Sequence, residues 1–464
     1  MNHVVSQLQA ELGAAVSIDP AVLELYRSDK SGHVSGGAPL AVVNAASTAD
    51  VQATMRIATA TRTPVVVRGA GTGLAGAAIA SDGEIVLSTL AMDRILEVSD
   101  DDELAVVEPG IINADLNAAL VSRGLWFAPD PASRAISTVG GNIATNAGGL
   151  LCAKYGVTRE AVLGLKIVLA DGRLMSLGHR TVKGVTGLDL VGLLIGSEGT
   201  LGVIVEATVR LRRLPTGVPT TIGAYFATVE AAARAASVIT ASGLRPAIME
   251  LLDPKAMAAI AEHLAIDVRS ESFLLVQTDG EGAGAEAEAA LAVIRSLGGD
   301  ATTTTDEAEG NRLMALRRSF HPAMEARGTV LIEDVCVPRS ALPSMFSAID
   351  DIAARFDVTI ATVAHAGDGN LHPNFVFSGT EVPERVWAAA HEMFLTALRL
   401  GGTLTGEHGV GILKKRWLRD ELGDDQVELQ RDIKRVFDPH NLLNPGKLFT
   451  EAGEHAHERQ ALAE

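Results

Sequence analysis

Along the first half of the chain, short β-branched runs alternate with glycine-rich loops. Apolar runs bounded by Gly, Pro, Asn or Asp read as strands, and they fall at 41–44, 64–68, 84–88, 105–108, 165–170 and 201–211. Helical spacing of apolar positions falls at 49–61, 114–122 and 188–195. This mixture predicts an α+β domain that cradles something large. Between Leu214 and Pro219 two prolines and a glycine break the pattern and read as a linker. Beyond it, strands near 221–226, 273–278, 329–335, 358–363 and 373–377 alternate with Ala-rich helices at 230–241, 285–297, 308–323 and 342–356. That order predicts one sheet covered by helices on one face. The first dozen residues read as an amphipathic helix, a final helix over 425–437 stops at Asp438-Pro439, and the tail after Thr450 reads as frayed.

The pattern needs more than one core, since 464 residues correspond to about two to four domains. A formal charge of -18 repels nucleic acid and anionic membranes at long range, so a small anionic substrate would need locally placed Arg or Lys. Cys152 and Cys336 stand far apart without a CxxC spacing, which argues against a disulfide framework or a thiolate zinc site. No apolar stretch approaches the roughly 18 to 20 residues of a spanning helix. The N-terminal residues lack a basic or Arg-rich stretch, so neither a signal nor a transit peptide is expected and the expected compartment is the cytoplasm.

Chemistry concentrates near the C-terminus, in His365-Ala-Gly-Asp-Gly-Asn-Leu-His372 and in Gly406-Glu407-His408-Gly409. Asp368-Gly369 is a two-residue hairpin signal at the midpoint of the first segment, so His365 and His372 are predicted to oppose each other directly. Opposed residues share a face with Cβ atoms about 4.5–5.5 Å apart, close enough for two imidazoles to converge on one cation. Glu407 is a natural third ligand, and three protein ligands leave a coordination position open, the pattern of a catalytic metal. His408 would then serve proton transfer, although adjacent residues on an irregular loop can both face a cation.

Residues 64–76 contain a GxGxxG at Gly71, Gly73 and Gly76, directly after a strand. A Rossmann turn needs a helix next, to aim its N-terminus at a pyrophosphate, whereas here Ser81-Asp82-Gly83 interrupts and another strand follows. NAD binding is therefore rejected in favour of a glycine-dense nest whose N–H groups can approach phosphate oxygens. A second loop runs from Pro129 through Pro131 to Gly149 and offers Thr138, Gly141, Asn142, Thr145 and Asn146; a third, 196–204, contains Glu198, Gly202 and Ile204. Three such loops in one domain suit an extended dinucleotide.

In combination, the 68–76 loop, 140–149, 196–204, the two His/Glu segments and Asn444-Pro-Gly-Lys447 make the chain resemble FAD flavoproteins of the vanillyl-alcohol-oxidase and p-cresol-methylhydroxylase type. Within them it is similar to the D-2-hydroxyacid dehydrogenases: D-lactate dehydrogenase, the glycolate oxidase flavin subunit and D-2-hydroxyglutarate dehydrogenase. The resemblance spans 39–449 and implies an α+β fold: a two-subdomain FAD-binding domain over 1–215, a ferredoxin-like cap over 216–437 for substrate and metal, and a segment over 438–464 returning to the flavin. It implies non-covalent FAD, with the pyrophosphate on Arg68, Gly69, Ala70, Gly71, Thr72, Gly73 and Leu74, and with Pro131, Thr138, Gly141, Asn142, Thr145, Asn146, Glu198, Gly202, Ile204 and Asn444 as further contacts. It also implies one divalent ion, Zn, Mn or Fe, on His365, His372 and Glu407.

On that reading His408 is the general base and flavin N5 accepts the Cα hydride. Arg317 matches the family's carboxylate-binding arginine, with Arg318 a near alternative. D-2-hydroxyglutarate dehydrogenases carry a lysine where this chain has Ile332, and the Asp334-Val-Cys-Val-Pro338 stretch looks more like D-lactate dehydrogenases, so a monocarboxylate is favoured, with D-lactate ahead of glycolate. The remaining implications are a quinone, cytochrome or electron-transfer flavoprotein as electron acceptor, no nucleic acid, no transmembrane segment, a homodimer as one form of assembly, and a location in the cytoplasm or peripheral to the membrane.

Overall fold

Parallel strands need a crossover, and the helix Thr48–Thr61 supplies one early in the chain. Ser47 caps its start, with Oγ accepting from Asp50 N at 3.2 Å, and Arg62 ends it at φ +56°. Val51, Met55 and Ala58 on its inner face pack against Val43, Val65, Ile85 and Leu87. These belong to a four-stranded sheet in the order Val16–Ser17, Ala41–Asn44, Ile85–Ser88, Val65–Arg68, parallel across its last three strands. The computed structural model describes residues 3–379 and 381–450, and the tail after Thr450 lies outside them. Contacts divide the chain into two compact units, one built from residues up to 148, 156–214 and 407 onward, the other from 149–155 and 215–406. Residues 407–437 therefore cluster with the first unit.

A second sheet in the first unit is antiparallel throughout, in the order Ile95–Ser99, Leu104–Val107, Val203–Arg210, Val162–Val168, Leu174–Gly178. Helices Asn113–Leu120, Val139–Thr145 and Leu190–Leu194 bury apolar side chains against it. The reading of the sequence missed both edge strands and treated Val139–Thr145 as loop. That helix contains Gly140 because a Cβ there would lie 2.5 Å from Pro109 Cβ. Close approach, more than flexibility, explains the glycine.

The second unit holds a sheet in the order Asp300–Thr304, Thr220–Phe226, Ser272–Thr278, Ile248–Leu252, Thr359–His365, Asn370–Phe377, Thr329–Ile332, with Val335–Cys336 also on Asn370–Phe377. Every neighbouring pair is antiparallel. Its first four strands, joined in part by Val229–Ala241 and Ala283–Ser296, stand in the fourth-first-third-second order of a ferredoxin-like unit. The expectation of helices on one face is corrected. Ile248, Leu252, Phe273 and Leu275 pack on one side against Met257 and Ile260 of Pro254–Leu264, Met314 and Leu316 of Glu307–Arg318, and Phe320 and Met324 of Phe320–Glu325. On the other side, a Cβ at Gly299 would touch both Phe226 and Ile294 of the helix Ala283–Ser296. The cause is visible in Ile248–Leu252, buried at all five positions, as a strand covered on both faces must be. Among the described residues, no helix is long and apolar enough to cross a membrane.

Candidate active site

The first unit gathers most of the residues expected to hold a cofactor. The chain leaves the strand Val65–Arg68 at Gly69 and runs to Glu84 without a helix. Arg68 shapes this loop from within: its Nη1 donates to Ser28 O at 2.8 Å and Ala78 O at 2.9 Å, and the guanidinium lies 5.0 Å from the centre of the Tyr26 ring. Burial lowers its pKa, against the opposing charge of Asp29. Gly71, at φ +68°, lies so close to this guanidinium that any Cβ would collide with it. Gly69 packs equally tightly on Thr138 Oγ1, whereas Gly73 faces open space. Among the described residues, no backbone hydrogen bond engages the N–H groups of 69–74. Such a run of N–H groups suits a nest for anionic oxygen. Ala70, Thr72 and Leu74 share it.

Several of the expected cofactor contacts also hold protein to protein. Thr138 caps Val139–Thr145, accepting from Gly141 N at 3.1 Å, and Thr145 Oγ1 donates to Gly141 O. Buried Asn142 accepts from Asn113 Nδ2 and donates to Ser137 Oγ. Asn146, left-handed at φ +52°, accepts from Arg159 N. Pro131 O accepts from Arg134 N, and Gly202 leads into the strand Val203–Arg210, where Ile204 pairs with Ile167. Asn444 Oδ1 accepts from Val67 N at 2.8 Å while its Nδ2 donates to Glu198 O at 2.7 Å. Glu198 in turn accepts from Val410 N at 2.7 Å and Gly411 N at 2.8 Å. Burial pushes its carboxyl up to about 7 despite these donors. Glu198 thus clasps the segment that begins with Glu407 and His408. There Glu407 Oε1 stands 3.9 Å from His408 Nε2, and a Cβ on Gly148 would lie 2.5 Å from Glu407 Oε2.

The second unit carries the histidines. His365 ends the strand Thr359–His365 and His372 lies in Asn370–Phe377, but they do not oppose each other directly. His365 pairs with Asn370 and Val363 with His372. The turn spans 366–369 because the N–H groups of Asp368 and Gly369 both return to His365 O, at 3.2 and 3.0 Å. Gly369 is required there: at φ +94° its Cβ would run into Val337 O. A shift of two residues preserves the face, so the histidines are diagonal neighbours. Their rings meet edge to face, with centroids 5.0 Å apart and planes at 83°, and each presents a ring nitrogen within 4.8 Å of the other's.

Two acids that the sequence did not single out complete this face. Glu250, fully buried and the register partner of His365, places Oε1 2.6 Å from His365 Nδ1 and Oε2 2.6 Å from Arg317 Nε. Burial alone would raise its pKa, but the charges of His365 and Arg317 and their hydrogen bonds win and hold it below the usual value. Arg318 is exposed, so Arg317 is the one of the pair turned to this face. Asp334, also fully buried, accepts from Thr405 Oγ1 at 2.5 Å and Gly406 N at 2.9 Å, and its Oδ1 stands 3.7 Å from His372 Nδ1. Its position breaks the expected strand 329–335 into Thr329–Ile332 and Val335–Cys336. Lone acids inside apolar strands were the available signal, since a carboxylate is buried only where it is paired.

Residues 39–178 match the FAD binding domain, and residues 218–448 match the C-terminal domain of FAD linked oxidases. The chain belongs to the FAD-linked oxidases. This FAD-linked oxidase is 40% identical over 421 residues to the glycolate oxidase subunit GlcD of Bacillus subtilis, covering 89% of each chain. It is 36% identical over 413 residues to the D-lactate dehydrogenase of Archaeoglobus fulgidus, covering 88% of this chain and 90% of that one. Among solved structures it superposes on p-cresol methylhydroxylase with a TM-score of 0.79 and 17% identity, over 97% of both chains, which establishes the shared two-domain fold. The expected family and fold are thereby confirmed, and an FAD-linked oxidoreductase of the 2-hydroxyacid type is established at that level.

Proposed function

We propose that this flavoprotein oxidises a D-2-hydroxy monocarboxylate, D-lactate ahead of glycolate, to the 2-oxo acid. The observation that carries the reading is the shared face of His365, His372 and Arg317, the first and last joined by Glu250. The residues fit a cation: His365 bonds Glu250 through Nδ1, so it would take a cation through Nε2, and nitrogen with carboxylate oxygen suits Zn, Mn or Fe. Glu407 is the third ligand in this reading; it follows directly on Gly406, whose N–H is anchored on Asp334 beside His372. A divalent ion there would lower the pKa of the substrate α-hydroxyl. FAD, held non-covalently with its pyrophosphate on the N–H groups of 69–74, would supply the hydride acceptor.

The chain's own residues then divide the work. Arg317 keeps its Nη groups for the substrate carboxylate while Nε stays on Glu250, and His408 removes the hydroxyl proton. Ile332, half-buried on the strand paired with Asn370–Phe377, offers no cation to a second carboxylate, which supports a monocarboxylate. Electrons would leave to a quinone, a cytochrome or an electron-transfer flavoprotein. Purified protein should absorb near ~450 nm, as flavin does. Under anaerobic conditions D-lactate should bleach that band, glycolate more slowly, and L-lactate not at all. Bleaching by D-2-hydroxyglutarate alone would overturn the substrate assignment, and a colourless protein that takes up no added FAD would overturn the whole reading.

A further inference from the structure

We propose that Glu250 is a positioning residue coupling the His365 imidazole to the Arg317 guanidinium, so that one buried carboxylate sets both cation binding and recognition of the substrate carboxylate. The inference rests on the functional reading above and adds to it a residue that acts through two others. Glu250 lies mid-strand in Ile248–Leu252, fully buried, and each of its oxygens serves a different partner at 2.6 Å. His365 faces it across the sheet, and Arg317 reaches it from the helix Glu307–Arg318. A charge in this position is costly unless both partners hold it. Its two bonds therefore fix two orientations together. Accepting from Nδ1–H selects the tautomer of His365 that presents Nε2, and accepting from Nε–H fixes the plane of the Arg317 fork.

Glu250→Gln separates this role from mere packing. The amide keeps the shape but has one acceptor oxygen, so either His365 or Arg317 must face an NH2 group. In the purified full-length variant with flavin bound, the affinity for added Zn2+ should fall about 10- to 100-fold. KM for D-lactate should rise, with flavin content unchanged. In the 15N-histidine spectrum of cation-depleted protein, the Nδ1–H signature of His365 should be present in the parent and altered in the variant. Arg317→Lys, a change on a partly exposed helix position, is the companion: it removes the planar Nε–H, so it should raise KM and also shift the His365 signature. Parental Zn2+ affinity together with a parental KM in Glu250→Gln would overturn the proposal. A His365 signature untouched by Arg317→Lys would overturn the coupling. Should Glu250→Gln fail to fold, the Arg317→Lys spectrum still decides. If the parent binds no Zn2+ or Mn2+, the functional reading falls while the His365 spectra continue to judge Glu250.

Discussion

Glu407 and His408 are neighbours with different proposed duties, and single substitutions can separate them. Glu407→Gln should lower cation occupancy, whereas His408→Asn should keep the cation and slow anaerobic flavin reduction by about 10²–10⁴, the usual cost of losing a general base. Metal analysis beside stopped-flow reduction checks both; an empty site in His408→Asn would make His408 a ligand instead. At this scale the sequence was informative where residue type is rare and spacing short. His365 and His372 stood out because eight residues centred on Asp368-Gly369 already read as a hairpin. The register was misread by two because the actual turn closes with two N–H groups on His365 O, a choice fixed by the approach of Gly369 to Val337 O. That neighbour comes from the segment just after the strand Val335–Cys336. The partners of Glu250 and Asp334 were illegible for the same reason: they lie 115 and 38 positions away, at His365 and His372, and only the sheet brings them together.

At the scale of elements, helix Pro254–Leu264 contains a built-in pH response. Its cap Asp253 accepts from Ala256 N at 2.6 Å and Thr362 N at 2.8 Å, tying the helix start to the strand Thr359–His365. Burial pushes the carboxyl from 3.8 up to about 7 although both N–H donors oppose the shift. A raised folded-state pKa means that the fold binds the proton more tightly than the unfolded chain. The resulting stability is fully present below about pH 4 and is lost as pH rises through about 7. Asp253→Asn removes the titration, so the parent should lose a few kcal/mol relative to the variant between pH 4 and 7, at about 1.4 kcal/mol per pKa unit. Urea melts across that range measure it, and parallel curves would refute it. Helices with strong period and cap signals, such as Thr48–Thr61 behind Ser47, were legible within a residue or two. Ile248–Leu252 and the helix after it were not, because a strand buried at five consecutive positions gives no period, and the edge strand Leu174–Gly178, with alternate positions half-buried, has too little apolar contrast.

At the scale of the whole molecule, the first unit is discontinuous: residues 215–406 form the body of the second unit and are inserted within it. Asn444 ties strand Val65–Arg68 to Glu198, and Glu198 ties itself to Val410 and Gly411. Asn444→Ala removes these side-chain bonds, with the longer one to Ala77 O, and should cost about 1–3 kcal/mol through the buried groups left unsatisfied. Flavin should leave the variant faster in gel filtration; unchanged retention together with an unchanged melting temperature would show that the clasp is dispensable. The same clasp sets a timetable for synthesis. A ribosome delivers Val67 and Glu198 long before Val410 and Asn444, so for the time needed to make some two hundred residues the nascent flavin cradle lacks its fastening. During that interval its exposed glycine loops would be at their most open to proteases and to wrong partners, until a segment made late closes a domain begun much earlier.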